Sequence, residues 1–211
     1  MSALTTPGGI LTVRDPAIVL ASGSPRRRQL LQMVRLSFRV SPAGIEEVPL
    51  AGEAPPAFAS RVARGKALEV AVREGSTPVL GADTVVEIDG AILGKPDSDR
   101  AAERMLRSLS GRVHRVHTAV ALAVGSHCND LVDTALVEMM ELDQRMIHWY
   151  VASGEPMDKA GAYAIQGLGG LFVGAVKGSP QTVVGLPIHR LPELFAAAGL
   201  DFWSLVQHEK S

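Results

Sequence analysis

Two serines and three arginines share residues 22–28, Ser22-Gly23-Ser24-Pro25-Arg26-Arg27-Arg28. The apolar run Ile18–Ala21 before them reads as a short buried strand, and Ser22-Gly23-Ser24 reads as a turn. Pro25 suits a first helical position, and Leu30, Leu31 and Val34 continue at helical spacing. A helix start already carries free N–H groups and a positive dipole end, where acids rather than arginines are favoured. Hydroxyls, N–H groups and guanidiniums converging there make an anion site, and phosphate is the anion that fits them. The plain alternative is three solvated arginines, each tolerated at about 0.3–1 kcal/mol. The G-x-x-x-x-G-K-[ST] loop of nucleotide-binding strands is absent, and Arg28, one step round the helix, reads as surface.

Asp83 lies within the otherwise apolar "VLGADTVVEI". A carboxylate in such a strand costs heavily unless it is paired, hydrogen-bonded or metal-bound. Gly81 and Ala82 before it leave room for a ligand to approach the backbone. The alternative is a strand that stops near Leu80, with Asp83 capping a loop. Glu46 and Glu47 stand in a polar loop and, with Asp83, could hold a Mg²⁺-type ion that completes its shell with phosphate and water. Lys66 and Lys95 offer cationic clamps. The stretch "DKAGAYAIQG" (158–167) has neither helical nor strand period, and its Gln166 amide can both donate to and accept from a pyrimidine edge.

The elements that must position these groups alternate without strict order. Strands are expected at 18–21, 37–41, 78–88, 113–124, 131–139 and 171–176, with "DG" at 89–90 turning a hairpin into "AILGKP". Helices are expected from Pro25, over 57–75 (Phe58, Val62, Ala63 and Ala67 inward, Lys66 off that side), 99–111, 143–155, and within 185–200. This predicts an α/β fold: a mixed central sheet with helices on both faces. The 211 residues carry 46% apolar content and a net charge of −1, which gives no field for a nucleic acid polymer or a membrane surface. A lone Cys128, placed in a hairpin turn, excludes an internal disulfide. With no secretory leader and no membrane-length apolar run, a cytoplasmic protein is expected. His114 and His117, three apart on a strand, point to opposite faces and do not chelate one metal. Trp149, Tyr150 and Trp203 read as packing residues, and His189 as surface.

In order along the chain, "LASGSPRRRQLL", "GIEE", "RVARGKA", "GADTVV", "LGKP", "LSGRVHRVHTAVAL", "YVASGEPMDKAGAYAIQGLGG" and "VVGLP" resemble the Maf (septum-formation) proteins, nucleoside triphosphate pyrophosphatases. The resemblance runs from about Ile18 to Leu194. It implies a two-lobed fold with a cleft, related to the inosine-triphosphate pyrophosphatases, a divalent cation (Mg²⁺ or Mn²⁺), and a homodimer as a family-level expectation. The family's proton acceptor falls on Asp83, with Glu47, Lys66 and Lys95 completing the catalytic set and Glu47 and Asp83 as metal ligands. Substrate binding falls on Ser22, Ser24, Arg26, Arg27 and Lys159, with specificity at Arg26, Thr84 and Gln166. The "DKAGAYAIQG" segment is that of the dTTP/UTP branch; the 7-methyl-GTP branch differs there. A house-cleaning role and an influence on septation are implied as well. Alternatives are a nucleotide-binding regulator of septation with little hydrolysis, a phosphatase using the same anion site, and the 7-methyl-GTP branch. One departure stands out: Pro180 replaces a tyrosine usual after "KGS". The expected organisation is an N-terminal extension (1–17), one domain (18–203) and a C-terminal tail (204–211).

Overall fold

The computed structural model describes residues 16–206; the expected extensions outside those limits lie beyond the described residues. In chain order the elements are β1 (Ile18–Leu20), α1 (Pro25–Met33), β2 (Phe38–Val40), α2 (Pro55–Glu74), β3 (Val79–Ile88), β4 (Ala91–Leu93) and α3 (Asp99–Leu109). Then follow β5 (Val113–Val124), β6 (His127–Met139), α4 (Gln144–Ala152), β7 (Val173–Lys177), α5 (Pro180–Val184), α6 (Leu191–Ala197) and α7 (Phe202–Leu205). Among the described residues four short 3-10 turns occupy Glu155–Asp158, Ala160–Ala162, Leu168–Phe172 and Ile188–Arg190.

The strands form one mixed sheet in the order β2-β1-β3-β5-β6-β7, with β4 beside β3. β1 runs parallel to β2 and β3, and the other pairings are antiparallel. Alternate residues of the strands feed opposite faces, as the pleat requires. Ile18, Leu20, Leu80, Ala82, Val120 and Leu122 pack with α1 and α6 through Leu30, Leu31, Leu194 and Phe195. Val19, Ala21, Val79, Val85, Ala119 and Ala121 pack on α2 through Phe58, Val62, Ala63 and Ala67. A third cluster joins Val86, Val116, Val137 and Met139 to α3 and α4.

What matters for function is a gap in this sheet. β1 pairs with β3 only at Val79 and Leu80, and β4 pairs with β3 only at Val86–Ile88. Between them β3 has a ladder partner, β5, on one side alone. β3 continues through Asp83, so the reading that the strand stops near Leu80 is excluded. A parallel sheet binds ligands beyond the carboxyl end of such a strand, and β1 ends here.

Several boundaries differ from expectation. β6 begins at His127, so Gly125 and Ser126 alone make the turn and Cys128 sits within the strand, opposite Ala123. A two-residue turn suffices because Gly125 takes φ 59°. Helix α2 starts at Pro55, whose fixed φ suits a first turn. Trp149 and Trp203 are 50% and 67% exposed, stacking edge-on against Phe172 and Phe202 at the surface, whereas Tyr150 is fully buried. The β bridge from Leu36 to Val206 and helix α7 carry ordered structure past Trp203. Pro180 takes the first position of α5, where a missing N–H and a preset φ cost nothing.

Candidate active site

A cavity of about 420 Å³ opens at the gap in the sheet. Ser22, Ser24, Arg26, Arg27, Glu47, Lys66, Asp83, Thr84, Lys95, Lys159 and Gln166 all line it, although they come from six separate segments. The lining divides by chemistry: these polar groups on one hand, and Val86, Val116, Tyr163, Ile165, Val183 and Val184 on the other.

Asp83 owes its position to Gly81. A Cβ on Gly81 would stand 2.3 Å from the Ala63 carbonyl oxygen and 2.8 Å from the Ala67 nitrogen. The room at this glycine therefore admits helix α2, not a ligand, which corrects the expectation for Gly81 and Ala82. One turn of that close contact carries Lys66 onto the sheet. Lys66 is only 8% exposed rather than off the buried side, and its Nζ lies 2.8 Å from Asp83 Oδ1 and 2.8 Å from Glu47 Oε1. Burial raises the Asp83 pKa above the ordinary carboxylate value, opposed by Lys66 and Arg27 and assisted by Glu47. For Glu47 burial also pushes upward, but the Lys66 hydrogen bond and the nearby Lys95 and Arg27 charges win and lower it.

The arginine cluster divides. Arg27 is compensated within the chain: its Nε donates to the Gly185 carbonyl at 2.8 Å, Nη1 to Ser22 Oγ at 3.1 Å and Nη2 to Thr84 Oγ1 at 3.2 Å. Gly185 is needed there, with φ 118° and a Cβ position 3.2 Å from Thr84 Oγ1. Thr118 spends its single proton on the Thr182 carbonyl at 2.6 Å, so Thr84 donates to Thr118 and accepts from Arg27. Arg26 and Lys95, by contrast, have no acidic partner within ion-pair distance among the described residues. Ser24 caps α1, accepting the Arg27 N–H at 3.5 Å, and no acid occupies that first turn. Arg28 is exposed, as expected.

Lys159 is committed to its own segment, paired with the Asp158 carboxylate and donating to the Glu155 carbonyl at 3.3 Å. Asp158 itself lines the cavity and was missed by sequence reasoning; its place between Met157 and Lys159 gave no periodic signal. Behind the lining, Tyr163 Oη meets His114 Nε2 at 2.7 Å. His117, on the other face of β5, lies between Glu87 at 2.6 Å and Thr134 at 2.8 Å, so the two histidines share no ligand. His189 is about half exposed.

No group of three or more His, Cys, Asp or Glu side chains among the described residues could hold a metal by itself. Two carboxylates could share one with a ligand. The Lys66 contacts engage Asp83 Oδ1 and Glu47 Oε1, leaving Oδ2 and Oε2 for a hard cation that takes its other oxygens from phosphate and water. No helix is long and apolar enough to cross a membrane among the described residues.

Residues 17–198 match the family model described as Maf-like protein. The chain is 50% identical over 183 residues to a dTTP/UTP pyrophosphatase of Myxococcus xanthus (strain DK1622), covering 87% of this chain and 93% of the relative. It is 46% identical to a dTTP/UTP pyrophosphatase of Moorella thermoacetica, covering 90% and 98% of the two chains. A third relative of that name, from Escherichia coli O157:H7, is 48% identical over 85% of this chain and 92% of its own.

Proposed function

The chain belongs to the Maf family, and from that premise we propose that it hydrolyses dTTP and UTP at the α-phosphate, yielding the nucleoside monophosphate and pyrophosphate. The observation that carries this reading is a buried carboxylate in one cavity with cations that make no ion pair among the described residues. Asp83 is 5% exposed and held by Lys66, while Arg26 and Lys95 line the same cavity and reach no acid within ion-pair distance among the described residues. A triphosphate supplies the missing negative charge.

Arg26, Lys95 and the α1 start, with Ser22 and Ser24, take the phosphate oxygens by charge-assisted hydrogen bonds. Arg27, fixed by three acceptors, adds a cation in a single orientation. Asp83 accepts the proton of the attacking water, and its raised pKa brings it nearer the range in which a general base works best. Lys66 balances the paired charges of Asp83 and Glu47. As the bond to the leaving pyrophosphate breaks, the cationic groups stabilise the charge that accumulates on it. A divalent cation, Mg²⁺ or Mn²⁺, would be held by Glu47 and Asp83 and would supply further charge to the phosphate oxygens. The base enters the apolar part of the cavity, where Gln166 meets its polar edge.

The assay is direct. The protein is incubated with UTP or dTTP and Mg²⁺, and phosphate is measured with and without added inorganic pyrophosphatase. Phosphate released only with the helper enzyme supports the reading. Release without it makes the protein a phosphatase, and no release makes it a nucleotide binder. 7-methyl-GTP run alongside settles the branch.

A further inference from the structure

The segment that carries Ile165 and Gln166 is fastened at both ends by one pair of side chains. Tyr150, fully buried on α4, accepts the Ala164 N–H at 3.2 Å and donates its hydroxyl proton to Glu155 Oε1 at 2.8 Å. Glu155 then accepts the Gly169 N–H on Oε1 and the Leu168 N–H on Oε2, each at 3.0 Å. Residue 164 on one side of Gln166 and residues 168–169 on the other thus report to a single carboxylate–phenol unit.

The glycines of the segment exist for this contact. A Cβ on Gly169 would stand 2.5 Å from Tyr150 Oη, and one on Gly167 would stand 2.5 Å from Glu155 Oε2. Gly167 also takes φ 140°, a conformation costly for any other residue. Glu155 receives three donors and offers none, the role of an ionised carboxylate. Burial acts to raise its pKa, but the Gly169 and Leu168 N–H groups and Tyr150 together hold it below the ordinary value. Neither residue lines the cavity.

We infer that Tyr150 and Glu155 are positioning residues for base recognition: they fix the Gln166 segment against the cavity without touching the nucleotide. This rests on the functional reading above, in which Gln166 meets the base. Releasing either end restores conformational freedom to the segment, and binding must then pay for ordering it again. The phosphate-binding groups named above come from the turn after β1, α1, α2, β3 and the loop after β4; of the cavity cations only Lys159 meets this pair, through the Glu155 backbone carbonyl, which neither substitution below removes.

The experiment compares a ligand with a base to one without. In Tyr150→Phe and Glu155→Gln, the KM for UTP and dTTP is expected to rise about tenfold, with kcat within about threefold of the parent. The inhibition constant of inorganic pyrophosphate, which lacks a base, is expected to stay unchanged. Calorimetric titration of UTP and of pyrophosphate makes the same comparison without turnover. It separates failure of this inference from failure of the hydrolytic reading, which would show in the parent protein as UTP binding without cleavage. A UTP constant equal to the parent's overturns the inference. So does a parallel loss for UTP and pyrophosphate in Tyr150→Phe, because the pair would then merely support the fold.

Discussion

Lys66 Nζ stands 2.8 Å from Asp83 Oδ1, joining the middle of α2 to the stretch of β3 that pairs with β5 alone, in a setting where both side chains are nearly sealed from water. A buried ion pair of this kind is weak evidence of stability, but breaking it from one side is costly, about 3–5 kcal/mol. Lys66→Met is therefore expected to lower the melting temperature and to cut kcat/KM by about a hundredfold or more. Asp83→Asn keeps the shape and removes the base. Turnover should fall by roughly a thousandfold or more while UTP binding, followed by calorimetry, persists. Turnover at the parent rate in Asp83→Asn would remove Asp83 from the role of base.

The pH dependence of activity follows from the direction of the Asp83 shift. Burial raises its pKa, and the proton acceptor must be ionised, so activity is lost as pH falls through that raised value. The acid limb of kcat/KM is expected above the ordinary carboxylate range. Stability has the opposite sign: the folded state holds the Asp83 proton more tightly, so its contribution is present at low pH and is lost as pH rises through the raised pKa. A pH–rate profile with its acid limb at the ordinary carboxylate value would contradict this.

His114 gives a second, separable pH effect. Burial holds its pKa down to about 4 against an ordinary 6.5. The unfolded chain gains the proton first, so stability contributed by neutral His114 is present above pH 6.5 and is lost as pH falls toward 4. The loss amounts to about 3 kcal/mol by linkage. Urea unfolding between these limits should show it, and His114→Gln should flatten that part of the profile.

Gly81→Ala tests how α2 is seated. The new methyl would collide with backbone of Ala63 and Ala67, not with a side chain able to turn away. Destabilisation of about 1–3 kcal/mol is expected, together with a fall in kcat as Lys66 is lifted from Asp83. Gly44→Ala, where a Cβ meets nothing within 4 Å, serves as the control and should leave both unchanged.

Much of the architecture was legible because local chemistry writes it. The apolar period of β5 gave Val113–Val124 to the residue, and Asp89-Gly90 turned the hairpin with φ 53° and 78° as that dipeptide predicts. Asp83 could be singled out because a charge in an apolar strand demands a partner. Cys128 was misplaced for a related reason: His127, Cys128, Asn129 and Asp130 are poor strand residues, and only pairing with Leu122–Val124 and Ala121 of β5 makes them a strand. Trp149 and Trp203 were misread because aromatic type favours burial, while position on a short helix decides which face meets water.

Residue types and their order determined the chemical inventory of this protein: cations at a helix start, a carboxylate in a strand, an amide in an aperiodic loop. Tertiary structure alone decided how those charges are satisfied. Arg27 is answered by Ser22, Thr84 and Gly185, and Asp83 by Lys66, through contacts spanning up to 158 positions in the chain. Such pairings depend on how closely α2 can approach a glycine and where β1 stops along β3. Both are matters of packing between distant segments, and no local period encodes them.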